Sequence, residues 1–359
     1  MSEWGSEEIG SLLARHFSGV FEIEKWQTQG AGVRFHGTLT AGPETAVTVL
    51  RQRLEPYGFS PLLLSEREVL ILPTPAVGKR AQAEIPWPQI LLFAATLLTT
   101  LVAGAFMKGE NPLANPMALM TGAPFSFSLL AILGVHELGH YFTAKRYGVQ
   151  VTLPYFIPAP PPMILGTFGA FIKMKSPIAD RRSLFDIGIA GPIAGLCLAI
   201  PILMLGLTLS EVVPTHDAVG IALGSPLLFT LVQELTLGPI PEGMHIALHP
   251  VAFAGWIGFF VTALNLLPLG QLDGGHIAYA LLGRHSERLA LLTAIILVFL
   301  GITFWPGWLF WAFLAFMLGF KHPPTMNEVT PLDPRRRFLG VASLILLFLL
   351  VTPAPITEL

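Results

Sequence analysis

The sequence predicts a polytopic α-helical membrane protein of about six or seven transmembrane helices, with a re-entrant β-like loop and a small N-terminal α+β domain. Three observations lead there. Only 12% of the 359 residues are charged and 53% are hydrophobic, against about 25% charged in an ordinary soluble chain. Beyond residue 85, apolar stretches recur at close to the ~20 residues that cross a bilayer core. The first 84 residues instead carry the short alternating runs and turn residues of a water-soluble fold. Mean hydropathy is +0.65. A net charge of -2, spread over few ionisable groups, provides no basic face for nucleic acid. The lone Cys197 has no partner for an intramolecular disulfide. MSEWGSEEIGSLLARHF at the N-terminus is acidic and amphipathic, whereas a cleavable signal would be basic and then continuously apolar.

In the N-terminal domain, 1–84, FEIEKWQTQGAGVRFHGTL reads as two strands around a glycine-containing turn. PETAVTVLRQRLEPY, 43–57, reads as an amphipathic helix with proline in its first turn and Gly58 just past its end. FSPLLLSEREVLILP reads as two more strands, and TPAVGKRAQAE as a linker. No catalytic constellation is visible in this domain, and its partner is unknown.

The membrane domain, 85–359, has spans near 86–106, 125–147, 184–208, 249–268, 286–303, 305–320 and 338–353. WPGW alone separates the fifth and sixth. Placing the N-terminal domain in the cytoplasm puts Lys79, Arg80, Lys145, Arg146, Lys173 and the later basic residues through Arg337 on the cytoplasmic side, leaving Lys108 alone opposite. The 209–248 loop, also opposite, holds Glu211, Asp217, Glu234 and Glu242 but no lysine or arginine, as the positive-inside rule requires. Its apolar patch GSPLLFTLV is expected at the membrane surface. The third span contains DIGIAGPIAG, whose Gly191 and Gly195 stand at the spacing of close helix packing. Arg182 and Asp186, four apart, are expected to pair at that helix start.

The second span ends in HELGH. His136 and His140 are four residues apart, so on a helix both imidazoles leave the same face and can hold one zinc ion. Glu137 is turned about 100° away, outside the ligand row yet near a metal-bound water whose proton it can take. Ionisable groups inside a membrane helix are expensive and mark function by default. From Pro124 to His136 the helix rises roughly 18 Å, past the midplane of a core of about 30 Å. A third ligand must come from elsewhere. NLLPLGQLDGGH, 265–276, is a broken helix end on the same membrane side, with Pro268, Gly270, Gly274 and Gly275 around Asp273. Asp273 is the candidate. His245 and His249 share the four-residue spacing but lack an acid between them and read as structural, and His276 is left outside the ligand set.

HELGH followed by NLLPLGQLDGG resembles the site-2 protease family of intramembrane zinc metalloproteases. GTFGAF at 166–171, DIGIAGPIAG at 186–195, the 249–268 stretch and HPP at 322–324 resemble its EGY-type branch. The resemblance implies one zinc ion per chain, held by His136, His140 and Asp273, with Glu137 as catalytic base. It further implies a substrate or oxyanion role for Asn265 and, in the GTFGAF stretch, for Gly166, Phe168 and Gly169. The expected substrates are transmembrane proteins in the lipid bilayer, cut within or near their membrane segments. A membrane metal-ion transporter and a protease-like scaffold are the alternatives. The apolar, proline-rich loop 149–177 is expected to re-enter the membrane, and strand-like TFGAFIKM to offer an edge to an unwound substrate. The expected location is a bacterial inner membrane, with the N-terminus and active site facing the cytoplasm.

Overall fold

The strands of the N-terminal region form where the alternation of its side chains puts them. The computed structural model describes residues 6–74, 85–161, 163–214 and 221–358. The expected linker at 75–84, with Lys79 and Arg80, and Asp217 lie outside the described residues. After α1 (Ser6–Ala14), strands β1 (Phe21–Gln29) and β2 (Gly32–Leu39) form a hairpin in which Phe21 faces Leu39 and Gln29 faces Gly32. Gly30 makes the left-handed residue of the turn, at φ 58°. Helix α2 (Pro43–Leu54) follows, then β3 (Phe59–Ser65) and β4 (Glu68–Pro73), giving an antiparallel sheet of order β1-β2-β4-β3. Phe17, Phe35, Leu50, Leu54, Leu63 and Ile71 make the core beneath it, each buried to within 1% exposure.

Two segments from far along the chain, 177–184 and 323–336, belong to this compact unit. They answer a physical need, since β3 is an edge strand whose unpaired amides and carbonyls would otherwise face outward. The Leu63 amide donates to the Met326 carbonyl at 2.8 Å and the Glu328 amide to the Leu63 carbonyl at 3.0 Å. Met326 joins the core, and Arg181 pairs with Glu328 at 3.0 Å. The expected Arg182–Asp186 pair does not form. Arg182 instead reaches Glu44 at 3.1 Å, and Asp186 accepts the Tyr147 hydroxyl. Four-residue spacing permits an ion pair, but tertiary partners outcompete it here.

The second unit is that of a multi-pass membrane protein. Four helical stretches are long and apolar enough to cross a bilayer, Trp87–Met107, Pro116–Arg146, Arg181–Thr208 and Asp273–Thr303. They contain helices α3 (Trp87–Met107), α4 (Ala123–Arg146), α5 (Arg181–Thr208), α8 (Asp273–Leu282) and α9 (Ser286–Thr303). The other three expected spans are helical but shorter: α7 (Pro250–Leu266) and α11 (Pro334–Leu350) have 17 residues each and α10 (Gly307–Leu318) has 12. Twelve residues rise only about 18 Å. Pro306 and Gly319 bracket α10 and stop it there.

Between α4 and α5, β5 (Tyr155–Pro158) and β6 (Thr167–Phe171) form an antiparallel hairpin, with Ile157 facing Gly169. It lies along α3. The Thr99 hydroxyl donates to the Gly166 carbonyl at 2.6 Å, and the rings of Phe93 and Phe156 meet with centroids 5.1 Å apart. Thr99 is twelve residues into α3, so the hairpin sits roughly 18 Å along that helix.

The 209–248 loop contains β7 (Glu211–Pro214), β8 (Ile221–Leu223), α6 (Leu227–Leu237) and β9 (Met244–Ala247). β7 pairs with β9, and β8 with the C-terminal β10 (Ile356–Glu358). The apolar patch of this loop becomes α6, which exposes Leu227, Leu231 and Leu235 at successive turns.

Candidate metal centre

HELGH occupies the last turns of α4, where His136, Glu137 and His140 are 3%, 6% and 4% exposed. Their sequence does not by itself bury two imidazoles and a carboxylate. The neighbouring α5 makes the room. A side chain at Gly191 would place its Cβ 2.1 Å from His140 Nε2, and one at Gly195 would lie 3.1 Å from His136 Nδ1. On α4 itself, a Cβ at Gly139 would meet the Ala190 carbonyl at 2.7 Å. The small-residue stripe of the third span therefore packs against the HELGH helix as expected, and its glycines accommodate the histidine rings. The Ile187 carbonyl accepts a hydrogen bond from His140 Nδ1 at 2.7 Å, so the lone pair of Nε2 is free to bind a metal.

Asp273 arrives from a break in the membrane helices. α7 ends at Leu266, the chain turns without helix through 267–272, and α8 starts at Asp273. Glycine is required at the restart: a Cβ at Gly274 would lie 2.0 Å from the Leu266 carbonyl oxygen, and one at Gly275 would lie 2.3 Å from that of Gly270.

The three predicted ligands converge. His136 Nε2 to Asp273 Oδ2, His140 Nε2 to Asp273 Oδ2, and His136 Nε2 to His140 Nε2 are each 3.2 Å. Donors held about 2.0 Å from a tetrahedral zinc ion stand about 3.3 Å apart, so this triangle has the edge length of one face of such a site. The donor set suits Zn2+ in chemistry as well as geometry. Two neutral imidazoles and one carboxylate leave a fourth vertex open. Among the described residues this is the one group of three or more His, Cys, Asp or Glu side chains close enough to share an ion.

Glu137 stands outside the triangle, on the helix that packs against β6. Asn265, near the end of α7, brings its amide nitrogen to 3.1 Å from His136 Nε2. Of the three GTFGAF residues, Gly166 is seated against Thr99 and Thr100 of α3, Phe168 is exposed and Gly169 is paired across the hairpin. None of the three belongs to the His–His–Asp group. His249 caps α7, its Nδ1 accepting the Val251 amide at 3.3 Å, in line with a structural role. Sequence reasoning missed the Ile187 carbonyl, since a backbone group leaves no mark in a motif.

A buried pair of histidines and a carboxylate, with a glutamate beside them and apolar helices around them, defines a membrane protein built about an internal metal site. The chain belongs to peptidase family M50, the site-2 protease family, whose model matches residues 124–305. Within it the chain resembles EGY proteins, as its motifs imply. It is 28% identical over 370 residues to "Probable zinc metalloprotease EGY2, chloroplastic" of Arabidopsis thaliana, covering 97% of this chain and 65% of that one. It is 35% identical over 239 residues to "Probable zinc metalloprotease EGY1, chloroplastic" of Oryza sativa subsp. japonica, covering 64% and 40% respectively. With "Probable zinc metallopeptidase EGY3, chloroplastic" of Arabidopsis thaliana it shares 29% over 293 residues, 75% of this chain and 49% of that one. The chain thus spans less than two thirds of the length of these relatives.

Proposed function

We propose that this chain is an intramembrane zinc metalloprotease, which hydrolyses peptide bonds within or near transmembrane segments of other membrane proteins in regulated intramembrane proteolysis. The observation that carries this reading is the equilateral 3.2 Å triangle of His136, His140 and Asp273 with Glu137 beside it. Zn2+ would be held by His136, His140 and Asp273 and would supply Lewis-acid activation of the attacking water. Glu137 takes a proton from the attacking water and delivers it to the amine nitrogen as the C–N bond breaks. The Asn265 amide, beside His136, donates to the carbonyl oxygen as negative charge develops on it.

A substrate helix must unwind first, because its carbonyls are occupied by its own hydrogen bonds. β6 pairs only with β5 among the described residues, and it packs against α4, the helix that carries Glu137. Its free edge can take an extended substrate by strand addition, which gives Gly166, Phe168 and Gly169 a part in seating substrate away from the metal. In our reading the 149–177 loop is re-entrant, since its hairpin lies against the middle of α3.

We also propose seven spans, with 1–84 as a soluble cytoplasmic domain and the metal site on the same side, in a bacterial inner membrane. The charge asymmetry across the spans supports the orientation. The relatives named above are chloroplastic by their printed names, and fractionation of source cells tests the compartment. A transport path would need further ligand groups along it, and the described residues supply a single one. The test of the enzymatic reading is zinc content and cleavage of a transmembrane test substrate, measured on the same detergent-purified samples of the parent and Glu137→Gln. The parent is expected to bind zinc and cleave, and Glu137→Gln to bind zinc without cleaving. A zinc-loaded parent that cleaves nothing across a broad substrate panel would overturn it.

A further inference from the structure

Two more imidazoles meet in the membrane unit, outside the ligand group. His276 Nδ1 and His322 Nε2 are 2.6 Å apart, so one ring donates a proton and the other accepts it. His276 is 8% exposed, and a polar ring buried that far in an apolar helix is costly without a partner. His322 is also stacked on Tyr279, with ring centroids 4.5 Å apart and planes at 23°. His276 and Tyr279 are three residues apart on α8, so they form one face, and that face grips His322.

His276 is also nearly one helical turn beyond Asp273. Its amide closes on the Leu272 carbonyl at 2.9 Å, sealing the start of α8. A Cβ at Gly188 of α5 would come within 2.9 Å of His276 Cβ and 3.3 Å of the Asp273 carbonyl oxygen. The first turn of α8 is therefore held by α5 through Gly188 and by His322 through His276. Such restraint matters at this position. A rotation of α8 by about 10° would move a group roughly 6 Å from its axis by about 1 Å, several times the ±0.2 Å or so that metal–ligand distances tolerate.

We infer that His276 and His322 are positioning residues for the metal centre, fixing the rotation of the first turn of α8 and hence the direction in which Asp273 presents its carboxylate. This rests on the metal-binding reading of the site above. The test uses the full chain in detergent as the parent, His276→Leu, His322→Phe, His276→Asn and His322→Gln. Phenylalanine keeps a ring against Tyr279 without a hydrogen bond, while asparagine and glutamine set an amide near the lost Nδ1 and Nε2. Two readouts apply: the rate at which a chelator strips zinc, and the visible spectrum of the Co2+-loaded protein. The apolar variants are expected to release zinc about tenfold faster and to shift the cobalt bands, while the amide variants stay near the parent. Zinc release at the parental rate from the apolar variants, or equally fast release from the amide ones, would overturn the inference. Should His276→Leu fail to fold, His322→Phe against His322→Gln decides alone. A parent without zinc would instead overturn the metal-centre reading, so the two failures are distinguishable.

Discussion

The two units of this chain sort their side chains in opposite ways. In the N-terminal unit, Phe17, Phe35 and Leu63 are hidden, while ion pairs such as Arg51–Glu55 lie at the surface. In the membrane unit, Ile302, Phe348 and Phe310 are 74%, 73% and 61% exposed, while His136, Glu137 and His140 are buried. An arrangement of the first kind is what burial of apolar surface from water produces. Lipid removes that drive, so apolar side chains face outward at no cost and helices associate through small residues. Gly191, Gly195 and Gly258 do that work here, each so close to a neighbouring helix that a Cβ would press on it. Buried ionisable groups thus carry different information in the two units: in the membrane unit they mark the site.

The contrast can be broken or sharpened by substitution. The largest effect is expected at Glu137: Glu137→Gln should lower cleavage by about 10²–10⁴-fold while hydrogen exchange in the N-terminal sheet stays unchanged. Asn265→Ala should lower kcat by about 10²-fold, the loss of one oxyanion donor, and leave zinc content intact; a rise in KM alone would assign it to substrate holding. Leu63→Ala reverses the pattern. It should destabilise the N-terminal unit by about 3 kcal/mol, read by hydrogen exchange, without altering zinc retention. The same kind of truncation at a lipid-facing position, Phe348→Ala, should shift stability in detergent by about 0.5 kcal/mol or less. A large loss there would mean that the outward face of α11 is covered by protein.

Legibility in the sequence followed the range of the interactions. HELGH declares itself because both histidines sit on one helix, and the alternation within 21–39 and 59–73, with the turn glycine Gly30, marks the N-terminal strands directly. Asp273 is 137 residues from His136; its broken helix end and its shared membrane side mark it as the third ligand, and the family resemblance implies the same set. Longer-range partners were hidden. The 323–336 segment joins the N-terminal sheet through backbone bonds at Leu63, which no side-chain pattern encodes. Asp186 takes Tyr147, 39 residues away, in place of Arg182. HPP at 322–324 is legible as a motif, yet only tertiary packing brings His322 to His276.

The most direct measurement is zinc stoichiometry with X-ray absorption at the zinc edge, on the purified parent and on Asp273→Ala. The account predicts about one zinc per parent chain with only nitrogen and oxygen neighbours at about 2.0–2.1 Å, and loss of that zinc in Asp273→Ala. A parent free of zinc, or an Asp273→Ala variant that keeps the parental shell, would contradict it.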